Sequence, residues 1–218
     1  MTAIDDGNAI NVIGYQLPAK WDVIVLGDSN TAAMGNVVIE PWPRRHLSVL
    51  AAGLPGNGVV NVAYAAAMNN WIAGSGAKVV IIYLGINDCV IANEASWLTP
   101  AAWAASYAGI VSAALAAGAS VVCETYHLPG ESIKSLVSTT QLQAYNAQVR
   151  TTIHDTFYYD NLTRFAILDT EGSFRSVGSD GLLYTAAQNL LDGEHLTPDT
   201  QRLYRKRWWE DTIGRFPL

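Results

Sequence analysis

Apolar and polar residues follow one another in blocks along this chain, and the blocks predict strands and helices in turn. Val23-Ile24-Val25-Leu26 is an unbroken apolar run, which suits a parallel strand buried on both faces. It ends at Gly27 and leaves Asp28, Ser29 and Asn30 at its tip. Gly27 has no Cβ and is expected to let the chain turn sharply there. A helix is expected from about Pro41 to Ala52, with Pro41 and Pro43 in its first turn and Gly53 at its end. The Gly-Pro-Asn cluster at 53–58 marks a turn, and Val59-Val60-Asn61-Val62-Ala63 reads as a second strand. Lys78 to Leu84 is the third strand and the most strongly apolar β run in the chain.

Thr99-Pro100 opens a helix to about Ala117, with Thr99 as the cap and proline at the first position. Ser120 to Thr125 is a fourth strand, followed by a looser segment from His127 to Ser138. The next helix runs from about Thr140 to Phe157, carrying Leu142, Tyr145, Val149 and Ile153 at helical spacing. Phe165 to Asp169 is the fifth strand, Glu171 to Leu191 reads as loop, and Thr197-Pro198 starts a final helix to about Ile213. Strands alternating with helices predict an α/β fold built on a single parallel sheet covered on both faces. Residues 1–20 read as an irregular arm and residues 21–218 as one domain.

Composition narrows the function classes. The 218 residues are 50% hydrophobic and 15% charged, which is a globular composition with ample core. A formal net charge of -6 leaves no basic surplus for phosphates, so nucleic acid is not an expected partner. Arg202, Arg205, Lys206 and Arg207 form the one dense basic run and read as a solvated helix face. Two cysteines, Cys89 and Cys123, are too few for a disulfide scaffold and read as buried thiols. No apolar run is long enough to predict a membrane span. The acidic start Met1-Thr2-Ala3-Ile4-Asp5-Asp6 lacks the layout of a signal peptide, which points to a cytoplasmic location and leaves secretion or a virus particle as the other settings.

Three predicted strand ends carry unusual polar residues: Ser29 after the first, the Asn61 segment at the second, and Gly85-Ile86-Asn87-Asp88 after the third. In a parallel sheet these ends share one edge. With the strand order 2-1-3-4-5, strands one and three flank the crevice where ligands bind, so Ser29 and Asn87 face each other. Asp192-Gly193-Glu194-His195 precedes the last helix, in a loop able to reach that crevice. These residue types form a set for acyl transfer. A serine needs a base to become a nucleophile, which His195 supplies, and Asp192 fixes the histidine's tautomer and steadies the imidazolium. Asn87 and backbone N–H groups suit an oxyanion. Taken singly, each has a plain alternative: Asn87-Asp88 as a turn pair, and His195 as a cap before Thr197-Pro198. His46, His127 and His154 lack metal spacing and read as structural, as do Asp88 and the packing pair Trp208-Trp209.

Gly27-Asp28-Ser29, Asn61 to Ala66, Gly85-x-Asn87-Asp88 and Asp192-x-x-His195 occur in an order and spacing that resemble the SGNH/GDSL hydrolases, from about Trp21 to Trp209. The resemblance implies a three-layer α/β/α sandwich with a five-stranded parallel sheet in a flavodoxin-like order. It implies a serine hydrolase with neither a metal nor an organic cofactor. Ser29 is then the nucleophile, His195 the base and Asp192 its partner. The oxyanion hole combines the Ser29 and Ala66 backbone N–H groups with the Asn87 amide. Two departures stand out: Ala66 occupies the position of a usual glycine, and Asn30 follows the serine where one branch has leucine.

The expected activity is hydrolysis of carboxylic esters through a Ser29 acyl-enzyme, on a short-chain acyl or carbohydrate O-acetyl substrate. An acyltransferase and a non-catalytic carbohydrate-binding or structural module are the alternatives. Phe174, Arg175 and Tyr184 are candidate substrate contacts. No G-x-S-x-G elbow, G-x-G-x-x-G or Walker motif is present, which excludes the α/β-hydrolase, dinucleotide and P-loop readings.

Overall fold

The computed structural model describes residues 20–35, 37–41, 45–59, 70 and 72–218. All but the last residue of the expected arm at 1–20, Asn61, Ala66 and nearly all of the expected second strand lie outside the described residues. Strand β1 (Val23–Gly27) lies at the centre of the sheet, hydrogen-bonded in parallel to β3 (Leu47–Gly53) and β4 (Val79–Tyr83). Beyond β4 lie β5 (Ser120–Glu124) and β6 (Phe165–Leu168), both parallel. A short β2 (Val37–Ile39) runs antiparallel on β3 and closes the far edge, so the described order is β2-β3-β1-β4-β5-β6.

Two expectations are corrected here. The sheet is mixed, with five parallel strands and one antiparallel edge strand among the described residues. The segment expected as a helix from Pro41 to Ala52 supplies β3, and β3 takes the place beside β1 assigned to Val59–Ala63. Leu and Ala in that segment favour helix, but intrinsic propensity is a weak preference. A place between β1 and β2, with Val49, Leu50 and Ala51 buried, outweighs that preference. Val59 itself sits in a turn, its N–H donating to the Asp88 carboxylate at 2.9 Å.

Strand alternation divides the core into two layers. Ile24, Leu26, Val80 and Ile82 face a cluster with Trp103, Tyr107, Ile110, Val111, Leu142 and Tyr145. These side chains come from helices α2 (Pro100–Ala116) and α3 (Thr139–Gln148). Val23, Val25, Val79 and Ile81 face Met34, Trp209 and Ile213 on the other side, from α1 (Ser29–Met34) and the C-terminal helix. The result is a three-layer α/β/α sandwich.

Thr99 caps α2 as expected, accepting the Ala102 N–H at 3.2 Å. A π-helical turn, Val149–Ile153, joins α3 to α4 (His154–Phe157), and another, Thr200–Arg205, leads into α5 (Lys206–Ile213). The expected loop at 171–191 contains a small hairpin, β7 (Arg175–Val177) with β8 (Leu183–Thr185). Among the described residues no helix is long and apolar enough to cross a membrane.

Gly27 is required for a reason other than the expected sharp turn, since its φ is not among the positive ones. A Cβ there would lie 1.9 Å from Thr31 Oγ1, so only glycine lets α1 pack down on the strand end. That close approach places Ser29 at the first position of α1, on the carboxyl edge of the sheet.

Candidate active site

The structure brings Ser29, His195 and Asp192 together in one hydrogen-bonded line. His195 Nε2 lies 2.8 Å from Ser29 Oγ, and His195 Nδ1 lies 2.7 Å from Asp192 Oδ2. The Asp192 carboxyl is held down at about 2. Partial burial alone would raise it, but the N–H groups of His195 and Glu194 and the imidazole together outweigh that effect. An ionised carboxylate only accepts, so Nδ1 carries the proton and Nε2 is left to accept from the serine hydroxyl.

The loop carrying His195 is built for this geometry. Asp192 Oδ1 accepts the N–H groups of Glu194 at 3.0 Å and His195 at 2.9 Å, so the carboxylate that orients the ring also folds its own turn. Gly193 makes the turn possible with φ at 94°, and a Cβ there would lie 2.5 Å from Ser132 Oγ. Leu196, buried just beyond, donates its N–H to Asn30 Oδ1 at 2.9 Å.

Asn30 therefore ties the helix of Ser29 to the loop of His195. Its amide also donates to Tyr126 Oη at 2.8 Å and to the Glu194 carbonyl at 3.4 Å. The Tyr126 hydroxyl donates to Asp28 Oδ1 at 2.8 Å, and Tyr126 stacks on Tyr83 with centroids 4.1 Å apart. Sequence reasoning noted Asn30 only as a departure and passed over Tyr83 and Tyr126. Their positions at the tips of β1, β4 and β5 were the available signal.

Asn87 follows β4 on the same sheet edge, its amide donating to the Asn57 carbonyl at 3.1 Å. Asp88 is structural as expected, accepting from Trp103 Nε1 at 3.0 Å. The candidate substrate contacts are engaged elsewhere. Tyr184 is buried and donates to Asp180, Arg175 pairs with Glu171, and Phe174 packs against Tyr204 and Trp208. Cys89 and Cys123 are buried free thiols whose ionisation burial pushes up. Among the described residues no group of three or more His, Cys, Asp and Glu is arranged to hold a metal ion.

The basic run contains the largest surprise. Arg205 is 1% exposed and makes two bonds of 3.1 Å to Glu124, which is also buried. Its guanidinium lies 3.8 Å from the centre of the Tyr83 ring. The expected solvated face is therefore split: Arg207 is exposed, Lys206 is half-buried, and Arg205 points into the core. Trp209 is likewise core, while Trp208 sits with Phe174 and Tyr204.

Two buried groups near the site titrate in opposing senses. Burial pushes Asp28 up to about 7, against the hydrogen bonds from Tyr126 and Asn30, and its Oδ2 has no partner among the described residues. Burial pushes His127 down to about 3. Between pH ~4 and ~6.5 folded Asp28 keeps a proton that the unfolded chain releases, so its contribution falls as pH rises. Over the same window unfolded His127 takes a proton that the folded state refuses, so its contribution falls as pH drops. The two slopes, each about 1.4 kcal/mol per pH unit, nearly cancel. In Asp28→Asn the histidine's slope is unmasked. Urea melts between pH 4.5 and 6 should then show stability rising with pH by about that amount, whereas a slope equal to wild type refutes it.

A sheet of this topology, with a serine, a histidine and an aspartate in line at the carboxyl end of its central strand, defines a serine hydrolase of the ester-cleaving class. The sequence matches the GDSL-like Lipase/Acylhydrolase family over residues 25–203, and the chain belongs to that family. No curated protein sequence matches it. Among solved structures it is similar to a lipase/acylhydrolase from Enterococcus faecalis, at TM-score 0.60 and 16% identity over 88% of this chain and 95% of that one. A GDSL-like lipase from Bacteroides thetaiotaomicron aligns at TM-score 0.62 and 14% identity, over 88% and 87% of the two chains. A catalytic mutant of an acetylxylan esterase from Geobacillus stearothermophilus aligns at TM-score 0.59 and 14% identity, over 90% and 96%.

Proposed function

We propose that this protein removes short acyl groups, acetyl foremost, from hydroxyl-bearing substrates such as carbohydrates, through an acyl-enzyme on Ser29. The observation that carries the reading is the unbroken line from Asp192 through His195 to Ser29 Oγ. In the first step Ser29 Oγ attacks the ester carbonyl while His195 Nε2 takes the hydroxyl proton. The tetrahedral oxyanion is met by the Ser29 backbone N–H and the Asn87 amide, whose second N–H remains after the bond to Asn57; Ala66, the third donor that the family resemblance implies, lies outside the described residues. Collapse expels the alcohol, protonated by His195, and leaves acyl-Ser29. Water then attacks with His195 again as base, releasing the acid and restoring the serine.

Water as acceptor is supported by the openness of the rim, where the Asp192 side chain is 58% exposed and that of His195 26%. The acetyl preference draws on the sequence, which has alanine at position 66 where the family resemblance expects glycine, and on the acetylxylan esterase among the structural neighbours. The test is a series of 4-nitrophenyl esters with intact-mass detection of the acyl-enzyme. Acetyl to butyryl esters should be cleaved faster than decanoyl, with acylation at Ser29. Faster decanoyl cleavage overturns the substrate class.

Asp192→Asn should lower kcat by about 10²-fold or more, because the amide forces the wrong imidazole tautomer. The fold should persist, since the amide oxygen still accepts the two backbone N–H groups. Activity equal to wild type would show that a Ser29–His195 dyad suffices.

A further inference from the structure

We propose that His127, a buried residue that never touches the reacting atoms, is a positioning residue that holds the His195 loop in register through the Glu194 carbonyl. The inference rests on the Ser29–His195–Asp192 reading above. His127 is 1% exposed and follows β5. Its Nε2 lies 2.8 Å from the Glu194 carbonyl oxygen, which can only accept, so Nε2 carries the proton. Nδ1 is then an acceptor, and the Tyr83 hydroxyl donates to it. The direction of the whole chain is thereby set: Tyr83 O–H to His127 Nδ1, then His127 Nε2–H to the Glu194 carbonyl.

What that carbonyl belongs to gives the arrangement its consequence. The Glu194 C=O and the His195 N–H are the two ends of one peptide group. The oxygen end is gripped by His127, with Asn30 at a longer 3.4 Å, and the N–H end donates to Asp192 Oδ1 at 2.9 Å. A peptide hydrogen-bonded at both ends cannot rotate without breaking one of them, and each bond polarises the other. This peptide carries the Cα of His195, so its orientation sets where the imidazole points. The neighbouring Gly193 carbonyl is held in the same way by the Gly130 N–H at 2.6 Å, which makes the segment after β5 the cradle of the loop.

His127 is suited to this place because it stays neutral. The charged and titratable groups around it are Arg205 over Tyr83, Tyr83 and Tyr126 stacked beside it, and Glu194 and His195 on the loop. None of them is a carboxylate bonded to its ring; burial disfavours an imidazolium, Arg205 and His195 add to that, and together they outweigh the opposing bond to the Glu194 carbonyl.

The test compares His127→Leu, His127→Gln and Tyr83→Phe with wild type, using 4-nitrophenyl acetate across pH and a fluorophosphonate to measure Ser29 reactivity directly. His127→Leu should lower kcat and the phosphonylation rate by about tenfold to 10²-fold, the loss expected from misplacing a reacting group by about 1 Å. KM should stay within about twofold, since substrate binding is not touched. The acid limb of the rate profile should move to lower pH, because a loosened loop presents Asp192 less well to the imidazolium. His127→Gln keeps a donor in reach of Glu194 and should recover most of the rate. Tyr83→Phe frees the tautomer of His127 and should lower kcat less, in the same direction. It serves as the test where His127→Leu does not fold. A folded His127→Leu with wild-type kcat and acid limb overturns the inference, as does a glutamine variant no better than leucine or an unchanged Tyr83→Phe. Ser29→Ala in the same assays separates the two levels. If it stays active, the triad reading falls; if it is dead while the His127 and Tyr83 variants behave as wild type, only the positioning inference falls.

Discussion

Ser29→Ala is expected to abolish esterase turnover, lowering kcat by about 10⁴-fold or more and leaving at most the residue that binding and the oxyanion hole supply. In the proposed mechanism the hydroxyl is the group that bonds to the acyl carbon, and its oxygen stands 2.8 Å from His195 Nε2. The loss should come with almost no change in stability. His195 is partly exposed, so its Nε2 exchanges the serine for water when the hydroxyl is removed. Adding His195→Ala to Ser29→Ala should cost little further, because groups that act as one unit lose their effect together. Steady-state rates on 4-nitrophenyl acetate with a parallel urea melt give the answer. A folded Ser29→Ala enzyme with near-wild-type kcat would remove the acyl-enzyme mechanism altogether.

The largest expected effect on stability is at Arg205. Arg205→Met should destabilise the fold by about 3–5 kcal/mol, because it leaves the buried Glu124 carboxyl without its bidentate partner. Arg205→Lys should not restore it, since an ammonium cannot reproduce the planar fork or the stacking over Tyr83 at 3.8 Å. The double variant Arg205→Met with Glu124→Gln should recover part of the loss. It removes the stranded carboxyl and keeps an acceptor for Trp209 Nε1, now 3.0 Å from Glu124. Urea midpoints of the three variants decide the matter. A single variant within about 0.5 kcal/mol of wild type, the range of an ordinary surface change, would restore the solvated-face reading of this segment.

Strands whose faces are both buried were readable because their apolar runs are continuous. Strands Val23–Gly27, Val79–Tyr83 and Ser120–Glu124 fall within or next to the runs expected at Val23–Leu26, Lys78–Leu84 and Ser120–Thr125. Capping chemistry placed α2 for the same local reason, since Thr99 and Pro100 act on their own turn. The failure at Leu47–Gly53 is instructive. Its alanines and leucines carry no strong β signal, and the segment is a strand because β1 and β2 lie on either side of it. That information resides in the partners and not in the segment.

By itself the sequence determined the family and the candidate site: a serine at a strand tip, a histidine three residues after an aspartate, and an α/β alternation that sends strand tips to one edge. Those are local facts, set by side-chain reactivity and by spacing along one loop, as Asp192 shows by folding the turn of its own His195. Only the tertiary structure decided what lies beneath them. Asn30, Tyr83, Tyr126, His127, Glu124 and Arg205 are scattered along the chain, and no spacing rule links them. They meet because the parallel order of β1, β4 and β5 and the return of the last helix stack their side chains under the loop of His195. Buried polar groups must find partners wherever the fold supplies them, so their pairing is a property of the folded whole.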